Sequence, residues 1–78
     1  MSKKKKVIEM NSVESSNIKA IGYDESTSTL QVEFLTNGSY QFTPVPHQLW
    51  AAMKVAESIG SFFFKNIKSN KGITHIKI

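Results

Sequence analysis

A chain of 78 residues, 40% of them hydrophobic, is long enough for one small domain and too short to divide its core between two. It contains no cysteine, which excludes disulfides and thiolate metal ligands and fits a reducing compartment. No segment approaches the ~20 apolar residues of a membrane span, and the N-terminal residues lack the apolar run of a signal peptide. We therefore expect a cytoplasmic protein with no membrane partner, for which a homo-oligomer is one source of further burial.

The net charge of +4 is distributed unevenly along the chain. Lys3 to Lys6 form a basic run without apolar periodicity, so we expect residues 1–6 to be a disordered tail before a single domain at residues 7–78. Residues 7–64 contain two lysines and six acidic residues, whereas residues 65–78 contain four lysines and no acidic residue. Two interpretations are open: ordinary surface scatter, or a basic face that attracts phosphates. The absence of arginine weakens the second, because bidentate phosphate contacts are lost.

The first half of the chain has the pattern of a β-meander. Val7 to Met10 is a short β-prone run that either pairs or frays. Ile18 to Tyr23 is a predicted strand, and Thr29 to Leu35 shows the clearest alternation of apolar and polar residues. Asn37-Gly38 is a hairpin turn signal, because both residue types tolerate a positive φ. Ser39 to Thr43 is then predicted to pair back as the next strand.

The second half of the chain has the pattern of two short helices. Pro46 is suited to the start of a helix, and residues 47–57 carry an apolar stripe at helical spacing. The stripe consists of Leu49, Ala52, Met53 and Ala56, with Trp50 beside it as an anchor to the sheet or an interface residue. Gly60 is expected to end this helix. Ser61 is then the predicted N-cap of a second helix at Phe62 to Ser69.

Residues 74–78 alternate weakly and are a candidate final strand. The predicted class is α+β: a small antiparallel β-meander of three to four strands, followed by two short helices packed on one sheet face.

The register of the predicted hairpin decides where two aromatic rings lie. A two-residue loop ending at Gly38 places Tyr40 and Phe42 on the polar face, as an exposed stacking platform of the kind that RNA-binding sheets use. A three-residue loop with Gly38 in a bulge pairs Phe34 with Tyr40 and Val32 with Phe42, so that these side chains face one core. Burial favours the bulged register, since it gathers the apolar residues on one side.

Three consecutive phenylalanines, 62–64, run directly into a group of lysines, Lys65, Lys68 and Lys71. Neighbours on a helix lie about 100° apart, so the three rings cannot all face one core. The spacing of Phe63 and Ile67 predicts that these two are buried. Phe64 then points outward beside Lys68, either as a contact residue or as packing at the edge of the core.

Several segments, taken in order, are similar to the KTSC domain family, which is named for a C-terminal extension of some lysyl-tRNA synthetases and also occurs as short free-standing bacterial and phage proteins. The likeness covers residues 13–68 and rests on 13–24 (VESSNIKAIGYD), 30–34 (LQVEF), 38–42 (GSYQF), 45–46 (VP), 56–60 (AESIG), 62–63 (FF) and 66–68 (NIK). The resemblance implies RNA binding, through the attachment to a tRNA synthetase. Two positions depart from the family pattern: Phe42 replaces the second tyrosine of a Tyr-x-Tyr pair, and Phe64 replaces an asparagine.

We therefore expect a non-enzymatic module that binds RNA or single-stranded nucleic acid. The predicted contact residues are Phe64, Lys65, Lys68, Lys71 and Tyr40, with the lysines on phosphates and the rings on bases. No nucleophile–base arrangement accompanies Ser15 and Ser16, which we expect to have a local role in the backbone, and neither His47 nor His75 has metal-ligand spacing with the carboxylates. No cofactor is expected.

Two other functions are open on the sequence alone. One is a phage-type inhibitor or sponge that binds a host protein or a small nucleotide ligand and acts as a homo-oligomer. The other is an assembly module in which residues 62–64 form a subunit interface.

Overall fold

The strands of the sheet follow one another in chain order. The computed structural model describes residues 8–78, so the predicted Lys3–Lys6 tail lies outside the described residues. Five antiparallel strands form one sheet in the order β1-β2-β3-β4-β5: β1 (Asn11–Ser12), β2 (Ile18–Asp24), β3 (Thr29–Phe34), β4 (Gly38–Thr43) and β5 (Thr74–Lys77). The predicted α+β meander is confirmed, with five strands where the sequence predicted three to four. Pairing near the N-terminus occurs at residues 11–12 and not within residues 8–10.

The helical segments lie between β4 and β5. They are α1 (His47–Lys54), α2 (Ile59–Phe63) and a π-helical turn (Phe64–Lys68) that continues directly from α2. Pro46 has the extended conformation of an N-cap, with φ −63° and ψ 150°, as its proline ring favours. Among the described residues, no helix is long and apolar enough to cross a membrane.

The start of α2 differs from the prediction. The N-cap is Ser58, whose Oγ accepts a hydrogen bond from the Ser61 N–H at 3.2 Å, so the prediction of Ser61 as the cap was wrong. Gly60 lies inside this helix and does not end α1, which already ends at Lys54. A Cβ at Gly60 would lie 3.1 Å from the Ser15 Oγ, so the glycine serves close packing against the start of β2.

The helices pack on one face of the sheet, as predicted. The buried core consists of Ile18, Ile21, Leu30, Val32 and Phe42 from the sheet, with Val45, Trp50, Met53, Phe63 and Ile67 from the helical half. Trp50 is an anchor in this core: its ring stacks on Tyr23 with centroids 5.3 Å apart, and the Lys54 Nζ lies 5.3 Å from its centroid. The buried face of α1 therefore centres on Trp50 and Met53, while Ala52 of the predicted stripe is exposed.

The β3–β4 hairpin adopts the facing arrangement that burial favours. Val32 pairs with Tyr40, and the connection between the strands consists of residues 35–37, with Gly38 at φ +85°. The predicted pairing of Phe34 with Tyr40 was wrong by two residues, because Phe34 lies opposite Gly38. A shift of two residues leaves every side chain on its predicted face. Phe42 is only 4% exposed, which rules out the exposed two-ring platform.

The N-terminal segment crosses the outer face of the sheet at Gly22. A Cβ at this position would lie 2.7 Å from the Ile8 Cγ2 and 2.8 Å from the Met10 Sδ, and it would also meet the carbonyl oxygen of Glu9. Real Cβ atoms do not approach other atoms this closely, and a backbone carbonyl has little room to move away. Glycine at this position therefore permits the crossing.

We expect Gly22→Ala to lower the free energy of unfolding by about 1–3 kcal/mol, because the added methyl group overpacks the crossing. The measurement is the urea midpoint followed by circular dichroism. The matched control is Gly72→Ala, whose Cβ would lie 3.3 Å from the exposed Asn70 Oδ1. An unchanged midpoint for Gly22→Ala would contradict the close crossing.

Candidate nucleic-acid interface

An open groove of about 680 Å³ lies between α2, the π-helical turn and the inner face of the sheet. We call it the helix–sheet groove. Its helical wall consists of residues 57–61, 63–65 and 68, and its sheet wall consists of residues 14–18, 34, 36–37, 40, 42 and 75. The groove therefore brings together side chains from both ends of the chain that the sequence alone does not connect.

The floor of the groove is aromatic. The Phe63 ring lies between two rings of the sheet, with centroid distances of 5.6 Å to Phe34 and 5.1 Å to Phe42, both edge to face. Tyr40 continues the floor at 5.8 Å from Phe34, and His75 follows at 5.9 Å from Tyr40. Edge-to-face contacts of this kind stabilise a fixed arrangement of rings beyond their burial. The floor is thus a rigid apolar surface that reaches from α2 to β5.

The predicted site residues divide between the walls of the groove. Phe64, Lys65 and Lys68 line the helical wall, and Tyr40 lines the sheet wall. Phe64 is 58% exposed, as expected for the outward ring of the phenylalanine run. Lys71 is exposed and is not among the residues that line the groove.

The helix changes from α to π hydrogen bonding within the run of phenylalanines, between Phe63 and Phe64. The Ser69 N–H donates to the Phe64 carbonyl at 3.2 Å, five residues back, and the Ser69 Oγ donates to the same oxygen at 2.8 Å. Phe63 and Ile67 are 4% and 1% exposed, so the prediction that they face the core is confirmed. The predicted second helix is present, but it begins at Ile59, three residues before the predicted start, and its hydrogen bonding is π-helical from Phe64 to Lys68. Such π-turns are uncommon and frequently occur at functional sites.

The end of the groove beside the start of α2 has a different character. Glu14 and Glu57 line it, together with several serines. The Ser15 Oγ accepts hydrogen bonds from the backbone N–H groups of Asn17 and Ile18, both at 3.3 Å, so the predicted local backbone role of Ser15 is confirmed. The carboxylates at this end and the lysines of the π-helical turn give the groove opposite charges at its two ends.

Two residues on the β5 side of the groove were not predicted from the sequence: His75 lines the groove, and Lys77 lies beside it next to Tyr40 without lining it. His75 packs against Phe42 at 5.6 Å, and the Lys77 Nζ lies 6.0 Å from the centroid of Tyr40. Both belong to β5, which pairs with β4 so that Tyr40 lies opposite Lys77 and Phe42 opposite His75. The alternation at residues 74–78 indicated a strand whose odd-numbered residues share one face. Placing His75 and Lys77 beside Tyr40 and Phe42 also required knowing that this strand pairs with β4.

Within residues 8–78, no group of three or more histidine and acidic side chains is arranged to hold a metal ion. His47 is exposed and lies 2.8 Å from Glu25, outside the groove.

Most of the chain matches the sequence profile of a known family. The profile of the KTSC domain matches residues 14–70, and the chain belongs to this family. The matched range contains Tyr40, Phe64, Lys65 and Lys68, whereas β5 lies beyond it.

Two relatives illustrate the similarity. An uncharacterized protein of Stutzerimonas stutzeri (strain A1501) is 33% identical over 51 residues, which cover 65% of this chain and 72% of that protein. The crystal structure of a KTSC domain protein from Yersinia pestis superposes with a TM-score of 0.86 at 33% sequence identity, covering 92% of this chain and 99% of the other.

We expect Phe63→Ala and Phe64→Ala to differ sharply in stability although the residues are adjacent. Loss of the buried Phe63 ring should lower the free energy of unfolding by about 3–5 kcal/mol, while loss of the exposed Phe64 ring should change it by less than about 0.5 kcal/mol. Urea unfolding measures both, and Phe63→Leu provides a milder variant if Phe63→Ala does not fold. Equal losses for the two alanine variants would contradict this division of the rings.

Proposed function

We propose that this protein is a non-enzymatic module that binds RNA or single-stranded nucleic acid in the helix–sheet groove. The observation that carries the proposal is the combination of an exposed phenylalanine, two lysines and a tyrosine in one groove. Proteins that bind single strands pair a basic groove for the phosphates with aromatic rings for the bases.

The charges of the groove support one orientation of such a ligand. Phosphates are attracted to Lys65 and Lys68, and Lys77 adds a third cation near Tyr40 on the sheet wall. Glu14 and Glu57 repel phosphate from the end beside α2. The backbone of the ligand should therefore follow the π-helical turn and the β5 edge.

The aromatic residues support stacking with little sequence preference. Phe64 offers an exposed ring on the helical wall, and Tyr40 is half-buried on the sheet wall. Every base has a flat face that can stack on such rings, while the absence of arginine leaves few means of reading base edges. We also assign two further phosphate contacts to the proposed site. They are Lys71, which follows the groove residue Lys68 by three positions, and the Lys3–Lys6 tail.

The size of the groove favours a second candidate ligand. A volume of about 680 Å³ lies within the range of roughly 300–1,000 Å³ that is typical of small-molecule pockets. A short nucleotide ligand in the same groove would fit the sponge function. Competition between a dinucleotide and the longer strand distinguishes the two: equal affinity for both supports the short ligand.

We expect binding of an oligouridylate of about 12 nucleotides to depend steeply on salt. If Lys65, Lys68 and Lys77 each contact one phosphate, the affinity should fall roughly 20-fold between about 50 and 200 mM salt. Filter binding with an end-labelled strand measures this. Lys68→Gln should reduce the slope of log affinity against log salt by about 0.7. Phe64→Ser should weaken binding about 5- to 150-fold, the equivalent of roughly 1–3 kcal/mol of stacking.

Matched controls lie elsewhere on the surface. Lys19→Gln removes a lysine that pairs with Glu33 at 3.8 Å on the outer face of the sheet. Val55→Ser removes an apolar side chain that is 83% exposed and does not line the groove. Neither control should change the affinity. Absence of binding at low salt, or equal effects of the groove and control variants, would refute the proposed site.

A further inference from the structure

The free edge of β5 is the most accessible pairing surface of the sheet. Among residues 8–78, β5 is the last strand in the order and pairs only with β4, and all four of its residues are exposed. Its pairing is regular, without a bulge, and it contains no proline. The opposite edge, β1, is only two residues long. Bulges and prolines commonly protect edge strands, and β5 has neither. Its one lysine, Lys77, and its length of four residues limit pairing but leave the outward backbone groups available to another strand.

The backbone groups that face away from the sheet can be identified from the pairing with β4. The Ile78 N–H donates to the Ser39 carbonyl at 3.0 Å, and the register places Gln41 opposite Ile76 and Tyr40 opposite Lys77. Hydrogen-bonded and non-hydrogen-bonded pairs alternate along an antiparallel ladder. The polar groups of Ile76 and Ile78 therefore point toward β4, and those of His75 and Lys77 point outward.

The side chains of β5 restrict how a second strand can be added. His75 and Lys77 lie on the groove face, opposite Phe42 and Tyr40, while Ile76 and Ile78 lie on the outer face. Ile76 is 61% exposed and Ile78 is 55% exposed. A strand that presents isoleucines on the same face would cover them.

A second copy of this chain meets these requirements. A two-fold axis perpendicular to the sheet brings β5 against β5 antiparallel and keeps the groove faces of both copies on one side. Opposite residues must then share a face, which registers centred on His75, Ile76 or Lys77 all satisfy. A register centred on Lys77 sets two lysines directly opposite each other, which is destabilising. The register centred on Ile76 places Ile76 opposite Ile76 of the partner subunit and His75 opposite Lys77 of the partner subunit. In this register the outward backbone N–H and C=O groups of His75 and Lys77 form hydrogen bonds with the partner strand. A register centred on His75 instead leaves Ile78 without a partner.

We propose that the β5 edge is a homodimer interface in which two sheets join through the Ile76-centred antiparallel pair. The two isoleucines at the axis cover each other, and the residues on either side exchange backbone hydrogen bonds. The groove faces of the two copies become continuous across the axis. The edges are short, so the dimer is weak and depends on concentration.

A single introduced cysteine tests this register, because the chain contains no natural one. At a non-hydrogen-bonded pair the Cα atoms lie about 4.5 Å apart, a separation that a disulfide spans. Ile76→Cys should therefore form a disulfide-linked dimer when oxidised glutathione accepts the two electrons, and the rate should rise with protein concentration. Lys77→Cys should link far more slowly, because its copies lie about 7–8 Å apart diagonally across the axis. Val55→Cys, which is exposed elsewhere, measures random collision.

A comparison without cysteine tests the backbone pairing. Lys77→Pro removes an outward N–H at an edge position where proline is tolerated, whereas Lys77→Ala keeps it. By sedimentation equilibrium, Lys77→Ala should dimerise like the unmodified chain and Lys77→Pro should be monomeric, with circular dichroism confirming that both are folded. Equal cross-linking rates for the three cysteine variants, faster linking at Lys77 than at Ile76, or a monomeric unmodified chain at high concentration would overturn the proposal. No nucleic acid is present in these measurements, so their outcome is independent of the proposed function.

Discussion

The register of the β3–β4 hairpin determines which side chains face the helices. Gly38 adopts φ +85°, which glycine reaches at little cost, and the three-residue connection before it places Val32 opposite Tyr40. A shift of one residue would turn Tyr40 and Phe42 to the outer face and remove most of the aromatic floor. The packing of α2 and the shape of the groove both depend on this alignment, because Phe63 rests against rings that only this arrangement presents.

The sequence predicted the features that are encoded locally. Alternation located β3, and the Asn37-Gly38 turn signal placed β4 directly after it. The spacing of Phe63 and Ile67 predicted the buried face of the second helical segment. The errors occurred where a distant contact decides the outcome. Gly60 was predicted to end a helix, but the structure places it inside α2, where the close approach of the Ser15 Oγ accounts for a residue without a side chain. A contact with a residue distant in sequence leaves no local pattern from which it could be predicted. The π-helical turn was not predicted, because a single turn of five residues is too short to give an apolar spacing that differs recognisably from that of an α-helix.

The sequence predicted the part of the candidate site that is encoded locally and missed the part that depends on contacts between distant residues. Phe64, Lys65 and Lys68 are close in sequence, so their shared surface followed from helical geometry. Their relation to Tyr40 required the helix to be placed on the sheet, and the contribution of His75 and Lys77 required β5 to be placed next to β4. The KTSC match ends before β5, so the sheet-edge part of the groove comes from residues outside the matched range. The superposition with the Yersinia pestis KTSC domain protein extends further than the profile and covers 92% of this chain.

The stack of Trp50 on Tyr23 has a practical consequence for optical studies of this molecule. Trp50 is the single tryptophan of the chain, and it lies in the core beneath α1, whereas the residues that line the helix–sheet groove do not include it. Its intrinsic emission should respond when α1 separates from the sheet and should be insensitive to occupancy of the groove. Tryptophan fluorescence therefore reports the integrity of the fold separately from any ligand, provided that the ligand leaves the contact between α1 and β2 in place.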